Sequence, residues 1–481
     1  MGLVTVPTED TTTIDVWLDK GRDQSQIWRT MVDAYGGFTH STNIAVTLKL
    51  VAGGTLLPSI LSGKGPDVYM ELDSGTVMNY AIRNAIVGVG TSSDKAEFSE
   101  EQDKIFNNTY YCYTLENGGY EDLEAPRSGE DADFVSEAYN DVLYNDQGEQ
   151  IYVDAALDTI RLLDVYYGVP MTMSFSMMFY RMDVLADLEQ SIPKTWEDML
   201  AMLPALQSNS MSIGVNYILA IDFMIYQKGG SMWKYTDSSV YDSIWAGAKI
   251  DLDSDIALEA FEEVCKFFTD HSFPVSYDPA NRFRTGEMPV LIGDYIGLYN
   301  NLVVFATEIE GLWGFCPLPG VERDDGTVNY DSLASVRATV MLYGCDNMAA
   351  AWKFMQWQTS SKVQSEYGNG MVAIIGPSAK YEAANIDAIN DLSWTAKELQ
   401  AINDQIENMS SIVNYPGSYI IGRYTKFAFL NAVNDGKAPV TAMQDYIEAI
   451  NSEITRKREE FQTAEDYPLG TLAPDEEAPT K

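Results

Sequence analysis

Carboxylates stand directly after two predicted strands, at positions where parallel sheets commonly hold ligands. Residues 13–18 alternate as a strand does and are followed by Asp19. Residues 67–72 are mostly apolar, like a strand covered on both faces, and are followed by Asp73 and Ser74. Ligands of open parallel sheets bind beyond the carboxyl ends of the strands, where a carboxylate accepts hydrogen bonds from hydroxyl groups. The alternative is that both aspartates only cap the helices that follow them.

The segment that carries Asp73 has the order of a parallel α/β sheet. Residues 44–51 alternate in the manner of a strand, and Gly53-Gly54 ends the run. Thr55 can cap a short helix before the next strand, and a further helix begins after Asp73. The order strand, helix, strand, helix predicts an α/β fold. A chain of 481 residues exceeds one ordinary core, so we expect at least two lobes.

The charge of the chain disfavours several kinds of partner. The formal net charge is −40 at pH 7, which repels nucleic-acid phosphates and anionic lipids. Acidic metabolites are disfavoured for the same reason, unless a local basic site overrides the field. The alternative is that the acidic residues serve only solubility. We therefore expect no nucleic acid as a partner.

The chain carries no recognisable metal or cofactor motif. Its four cysteines show no CxxC spacing, so a structural zinc site is not expected. Residues 251–262 have the acidic spacing of a calcium loop, but Ile256 stands where that loop requires glycine. We expect neither a cofactor nor a metal ion.

Few residues are available for a histidine-based catalytic triad, because the chain has only His40 and His271. A carboxylate-pair glycoside hydrolase, or another carbohydrate-active enzyme, is the alternative, since 71 acidic residues are present. No pair of them is singled out by its spacing. We therefore expect a binding protein rather than an enzyme.

Aromatic side chains in loops suit the chemistry of neutral sugars, which have polar edges and apolar C–H faces. Such sites need flat aromatic platforms with fixed donors and acceptors at their edges. Trp233 follows a Gly-Gly-Ser loop, where ligand contact and burial are equally expected. Tyr419 and Arg423 follow the Pro416-Gly417 turn. The guanidinium there could hold ring hydroxyls or form a salt bridge on the acidic surface.

Several segments resemble one known family and occur in the expected order. They are GGTLLP at residues 53–58, GKGPDV at 63–68, FYRMDVL at 179–185, PKTWED at 193–198 and MPVLIGDY at 288–295. The chain is similar along nearly its whole length to the extracellular solute-binding proteins of carbohydrate ABC importers. This group includes maltose- and multiple-sugar-binding proteins. The variant resembles those of Gram-positive bacteria, which are lipoproteins tethered outside the membrane.

The resemblance implies a two-lobed, periplasmic-binding-protein-like α/β fold, with a ligand cleft and a hinge of several crossing strands. The first lobe is expected at residues 1–168 and 338–380, and the second at residues 169–337 and 381–470. Residues 471–481 are predicted to be a disordered acidic tail.

The resemblance also implies where a ligand is held. Asp19 and Asp73 match positions that bind sugar hydroxyls from the first lobe. Tyr295 matches an aromatic residue that stacks on a sugar ring from the second lobe, and Asp294 stands beside it.

One strand departs from the family pattern. Met171 and Met173 stand where relatives usually carry polar residues. Thr172 and Ser174 are therefore the polar candidates for ligand contact in this strand.

The function implied is non-catalytic capture of a neutral oligosaccharide outside the cell and its delivery to the permease subunits of an ABC importer. We expect a monomer at the cell surface. The chain opens on a short polar stretch rather than a signal peptide, so the signal and the lipid anchor are expected to have been removed.

Overall fold

A computed structural model describes residues 11–83, 85–91, 139, 142–162, 165–234 and 248–460 of the protein. In chain order the strands are β1 (Thr12–Leu18), β2 (Ile44–Leu50), β3 (Val68–Asp73), β4 (Gly90–Thr91), β5 (Arg161–Leu162), β6 (Val165–Tyr166), β7 (Val169–Ser174), β8 (Ser176–Arg181), β9 (Ile213–Gly214), β10 (Trp233–Lys234), β11 (Lys249–Ile250), β12 (Val290–Asp294), β13 (Trp313–Cys316), β14 (Val321–Glu322), β15 (Val328–Asn329), β16 (Ser332–Leu333), β17 (Ser335–Met341) and β18 (Met409–Ser410).

The helices are α1 (Arg22–Asp33), α2 (Phe38–Thr42), α3 (Leu56–Leu61), α4 (Ser74–Ile82), α5 (Asp154–Asp158), α6 (Met182–Asp187), α7 (Trp196–Ala201), α8 (Leu203–Ser208), α9 (Tyr217–Gln227), α10 (Asp255–Thr269), α11 (Pro279–Arg284), α12 (Tyr295–Phe305), α13 (Met348–Thr359), α14 (Ser361–Ile375), α15 (Ile386–Asn390), α16 (Ala396–Ile406), α17 (Ile421–Val433) and α18 (Pro439–Glu460). Within the described ranges, none of them combines the length and the apolar character needed to cross a bilayer. The predicted acidic tail lies outside these ranges.

The first large sheet has the strand order β2-β1-β3-β17-β7. β1 pairs in parallel with β2 and β3, whereas β17 runs antiparallel to β3 and β7. The predicted order strand, helix, strand, helix is confirmed by β2, α3, β3 and α4. Helices cover the sheet with large aromatic side chains. Trp28 of α1 and Trp352 of α13 are fully buried, and Trp28 stacks on Tyr367 of α14 with 4.2 Å between the ring centroids.

The second large sheet has the order β13-β8-β12-β9, with β8 buried at every position. This burial explains the long apolar run in the sequence. Helix α7 begins beside this sheet with a capping box, in which Thr195 and Asp198 exchange hydrogen bonds between side chain and backbone. Trp196, the first residue of that helix, donates from Nε1 to Oε1 of Gln227 at 2.7 Å.

The chain passes from the first sheet to the second through one residue, Phe175, because β7 ends at Ser174 and β8 begins directly after it. Residues 382–384 run along the free edge of β7. The backbone N–H of Met173 donates to the carbonyl of Glu382 at 2.9 Å, and that of Ala384 donates to the carbonyl of Met171 at 3.0 Å. The connection between the sheets therefore contains several segments, as expected for a multi-strand hinge. The change of sheet falls beyond the predicted boundary at 168/169, and the division into lobes stays a prediction.

Helix α9 carries an acidic side chain that has no ion-pair partner among the described residues. Asp222 of α9 stands between the buried residues Ile221 and Phe223. Burial raises the pKa of its carboxyl to about 7. The folded protein therefore holds this proton more tightly than the unfolded chain, in which a carboxyl titrates near ~4.

We expect Asp222→Asn to stabilise the protein only at higher pH. The contribution of protonated Asp222 to the stability of the fold is complete at pH values below the pKa of the carboxyl in the unfolded chain. It is lost as the pH rises through the pKa of about 7 in the folded protein. The melting temperature of the variant should therefore match that of the parent at acid pH and exceed it at alkaline pH. Asp435→Asn, at an exposed residue, is the control and should shift neither value. An equal gain at both pH values would contradict this assignment.

Candidate functional site

A cavity of about 390 Å³ lies between α4, at the carboxyl end of β3, and the turn at residues 414–419. The turn leads into α17, which packs on α9 and α10 beside the second sheet. The cavity walls carry carboxylate, amide, hydroxyl, phenol and cationic groups: Asp73, Thr76, Asn79, Arg83, Asn414, Tyr415, Ser418, Tyr419 and Lys457. This composition suits a ligand with many hydroxyl groups. The predicted residues Asp73 and Tyr419 both belong to its lining.

The two aspartates at the strand ends are exposed. Asp73 caps α4, since its Oδ1 accepts a hydrogen bond from the backbone N–H of Thr76 at 2.9 Å. Ser74 is the first residue of that helix and is half-buried. Asp19 lies so close to Gly53 that a Cβ there would approach its Oδ2 to 2.8 Å. The glycine after β2 therefore leaves room for the Asp19 carboxylate.

The strand that delivers Asp73 contains a buried charge that sequence reasoning missed. Glu71 is 4% exposed, and its φ of 61° lies in the left-handed region, which costs a glutamate roughly 1–3 kcal/mol. It falls in a bulge, where the register of β3 on β17 shifts between Ala338 and Val340. The Nζ of Lys20 is 2.6 Å from its Oε2. The available signal was a single charged residue inside an otherwise apolar run.

The polar candidates of β7 have different surroundings. Ser174 is half-buried and donates from Oγ to the carboxylate of Asp294 at the end of β12. Asp294 also caps α12, accepting from the backbone N–H of Gly297 at 2.6 Å. The structure thus brings these two predicted residues together across the change of sheet. Thr172 is 1% exposed and stands opposite Arg337 on β17, so its side chain does not face solvent.

Glu382 is a second residue that sequence reasoning missed. It lies on the segment that pairs with β7 and is half-buried. Burial, followed by the charge of Asp294, raises the pKa of its carboxyl to about 7, while Lys20 and Arg337 act in the opposite direction. The sequence gives no signal for it, because Glu382 reaches the site only through pairing with a strand far away in the chain.

Arg337 of β17 is a cationic residue close to the change of sheet. Its side chain is exposed, and the described residues provide no carboxylate within ion-pair distance of it. It stands opposite Asp73 and Thr172 in the register of the first sheet. The guanidinium is therefore available to a ligand at this crossing.

Tyr295 does not offer a ring face to solvent. It is 1% exposed, its ring stacks on Phe175 at 4.3 Å between centroids, and Trp394 lies 6.3 Å away. This arrangement fits a packing role beneath the change of sheet, not the expected solvent-facing platform. Stacking on a sugar would require the rings around Tyr295 to move.

Trp233 is also buried, at 4% exposed. Its Nε1 donates a hydrogen bond to the carbonyl of Val413 at 2.9 Å. Its ring packs in a T-shaped arrangement with the ring of Tyr415, with 4.7 Å between the ring centroids. Of the two roles expected for this residue, the geometry fits burial. Trp233 holds the turn that forms one wall of the cavity.

The remaining two candidates are exposed. Tyr419 is 65% exposed, and its hydroxyl is hydrogen-bonded to the carboxylate of Glu453. Arg423 lies one helical turn further on in α17 and does not belong to the lining of the cavity. Ligand contact by either residue stays a prediction.

Comparisons with known proteins agree with this architecture. Residues 130–365, just under half of the chain, match the family model described as bacterial extracellular solute-binding protein. No protein with a curated description matches the chain. The matched family consists of solute-binding proteins, a class that binds its ligand without turning it over. The family match confirms the predicted resemblance to the extracellular solute-binding proteins of bacteria.

Solved structures show the same two-lobed fold, so the predicted fold class is confirmed. The sugar-binding protein MalE of Xanthomonas citri has a TM-score of 0.67 at 16% identity, over 94% of this chain and 99% of that one. The maltose-binding protein MalE of Listeria monocytogenes, in complex with maltose, has a TM-score of 0.63 at 14% identity, over 93% and 99%. The extracellular solute-binding protein of Staphylococcus aureus, also with maltose, has a TM-score of 0.63 at 15% identity, over 94% and 99%.

We expect Tyr295→Ala to destabilise the protein. Truncation leaves a cavity against Phe175, and loss of a buried aromatic side chain costs about 3–5 kcal/mol. Tyr419→Ala, at an exposed tyrosine, should change the free energy of unfolding by no more than about 0.5 kcal/mol. Urea unfolding of both variants measures the difference. If Tyr295→Ala leaves the stability unchanged and abolishes ligand binding, Tyr295 stacks on the sugar and the packing role is rejected.

Proposed function

We propose that the protein captures a neutral oligosaccharide between its two lobes and delivers it to the permease subunits of an ABC importer. The observation that carries this proposal is the cavity between α4 and the turn at residues 414–419. Its polar groups match the edges of a sugar, and the exposed ring of Tyr419 supplies aromatic surface. The ligands of structural neighbours support a sugar, since three of them were solved in complex with maltose, maltotetraose and cycloalternan.

Charge favours a ligand without acidic groups. The chain has a net charge of −40, and Asp19, Asp73 and Asp294 stand at the strand ends. Lys20 is ion-paired with Glu71, and other cationic groups near these carboxylates are Arg83 and Lys457 in the cavity lining and Arg337 on β17. A neutral sugar meets these carboxylates as hydrogen-bond acceptors without a charge penalty.

The proposed setting is the outer face of a Gram-positive cell, where a lipid anchor would hold the monomeric protein near the permease. The family match supports an extracellular place of work. The anchor, the Gram-positive source and the monomer rest on the resemblance of the sequence motifs.

Calorimetric titration with maltose, maltotetraose and cycloalternan tests the proposal. We expect at least one of these sugars to bind with saturable heat and to be recovered intact after prolonged incubation. Chromatography of the recovered sugar separates a binding protein from a glycoside hydrolase. Cleavage that disappears when one carboxylate is replaced would reject the binding function, and absence of binding by all three sugars would reject this ligand class.

We expect Asp73→Asn to weaken the binding of whichever of these sugars binds by about 5- to 30-fold. The substitution removes the charge from a hydrogen-bond acceptor, and that loss costs roughly 1–2 kcal/mol of binding free energy. Asp278→Asn is the matched control. Asp278 is also exposed and also caps a helix, accepting from the N–H of Asn281 at 3.1 Å, but it does not line the cavity.

Both variants keep an oxygen that can cap the helix but lose its negative charge at the helix N-terminus, so their melting temperatures should fall by similar small amounts. Only Asp73→Asn should alter the dissociation constant. Equal affinities for the two variants would show that Asp73 is a helix cap and nothing more.

A further inference from the structure

Two oxygen atoms from different walls of the cavity converge on Gly75, the second residue of α4. Gly75 is half-buried and belongs to the cavity lining. A Cβ placed on it would lie 3.4 Å from Oδ1 of Asp73 and 3.8 Å from Oδ1 of Asn414. Both contacts have ordinary van der Waals length. A single methyl group on Gly75 would therefore fit and would touch both oxygens.

These two oxygens come from distant parts of the chain. Asp73 ends β3 of the first sheet, whereas Asn414 lies in the turn that leads into α17. Because the cavity separates α4 from this turn, its two walls approach each other at Gly75. A ligand group beside Gly75 is therefore in reach of both walls at once.

Both groups have hydrogen-bonding capacity to spare. Oδ1 of Asp73 accepts from the backbone N–H of Thr76 at 2.9 Å, and among the described residues its Oδ2 has no partner. The side-chain amide of Asn414 likewise makes no hydrogen bond with the described part of the chain. An ionised carboxylate only accepts hydrogen bonds, whereas an amide accepts through its oxygen and donates through its nitrogen. The space beside Gly75 thus offers two acceptors and requires two donors.

The cationic groups of the cavity lining already have partners. Nη1 of Arg83 donates to the carbonyl of Asn79 at 3.1 Å, and Nζ of Lys457 donates to the carboxylate of Glu460 at 2.7 Å. An anionic ligand group would compete for these contacts, whereas a hydroxyl group would not. Two adjacent hydroxyl groups on a sugar ring supply the required donors without adding charge.

We propose that Gly75 determines which ligands fit, because its missing side chain leaves room for the edge of a sugar ring. Two adjacent hydroxyl groups on that edge donate to Asp73 and to Asn414, one to each wall. This inference rests on the proposed function, since it assigns a ligand feature to the same cavity. Asn414 thereby becomes a ligand-contacting residue, and a methyl group on Gly75 occupies the place of the ring edge.

Gly75→Ala tests the inference, because its expected effects on stability and on binding are opposite. Alanine favours a helix more than glycine does and meets no close contact here, so the melting temperature should stay the same or rise. The dissociation constant for the tightest-binding of maltose, maltotetraose and cycloalternan, measured by titration calorimetry, should rise about tenfold or more.

Gly422→Ala is the matched control. Gly422 is also the second residue of a helix, α17, and a Cβ there would meet nothing within 4 Å. It does not belong to the cavity lining. This variant should keep the parental affinity, with a melting temperature that is equal or higher.

Asn414→Ala tests the opposite wall. It removes one of the two acceptors, so the same dissociation constant should rise about fivefold or more. The substitution also opens space beside Gly75. Adding Gly75→Ala to it should therefore weaken binding by a smaller factor than Gly75→Ala does in the parent protein.

Three results would overturn the inference while leaving the proposed function intact, since the parent protein would still bind the sugar. Parental affinity of Gly75→Ala would show that the ligand does not occupy the space beside Gly75. An equal loss of affinity in Gly422→Ala would assign the effect to helix glycines in general. Independent losses in the double variant would show that Gly75 and Asn414 do not act at one point. A complete absence of binding of all three sugars by the parent protein would instead reject the proposed ligand class, and this inference with it.

Discussion

The backbone pairing of β7 is the interaction on which the rest of the architecture depends. β7 is hydrogen-bonded to β17 on one side and to residues 382–384 on the other, and it continues through Phe175 into β8. Three distant parts of the chain are thereby fixed at one place. Thr172, Ser174, Arg337 and Glu382 owe their proximity to this pairing rather than to their order in the sequence.

The electrostatic arrangement follows from that pairing. Glu71 is turned inward by a bulge opposite β17 and is held by Lys20. A buried ion pair of this kind contributes little net stability, but removing one partner leaves a charge that is expensive to keep buried. The pair therefore constrains the ends of β1 and β3 relative to each other. Asp19 and Asp73 extend from these two ends.

Local signals in the sequence were sufficient for much of the first sheet. Alternating and apolar runs predicted β1, β2 and β3. The family motifs predicted the two-lobed fold. Burial of individual aromatic residues was not predictable in this way. Tyr295 is enclosed by Phe175 and Trp394, and Trp233 by Val413 and Tyr415, which are partners remote in sequence.

The same limit applies to the site. Asp73 could be placed from its position after a strand, since a strand end and a helix start are local features. Glu382 could not, because its surroundings come from β1, β3, β17 and β12 at once. A single glutamate in a polar stretch of sequence carries no information about such an environment. Bulges have the same effect, since the extra residue at Glu71 is defined only by the partner strand.

The single-residue passage at Phe175 has a geometric consequence for any rotation of one lobe against the other. Points close to a rotation axis move little, while points far from it sweep through long arcs. Ser174 and Asp294 lie beside the passage and are joined by a hydrogen bond, whereas α4 and the turn at residues 414–419 face each other across an open cavity. A rotation about this passage would therefore change the separation between α4 and residues 414–419 more than the separation between Ser174 and Asp294.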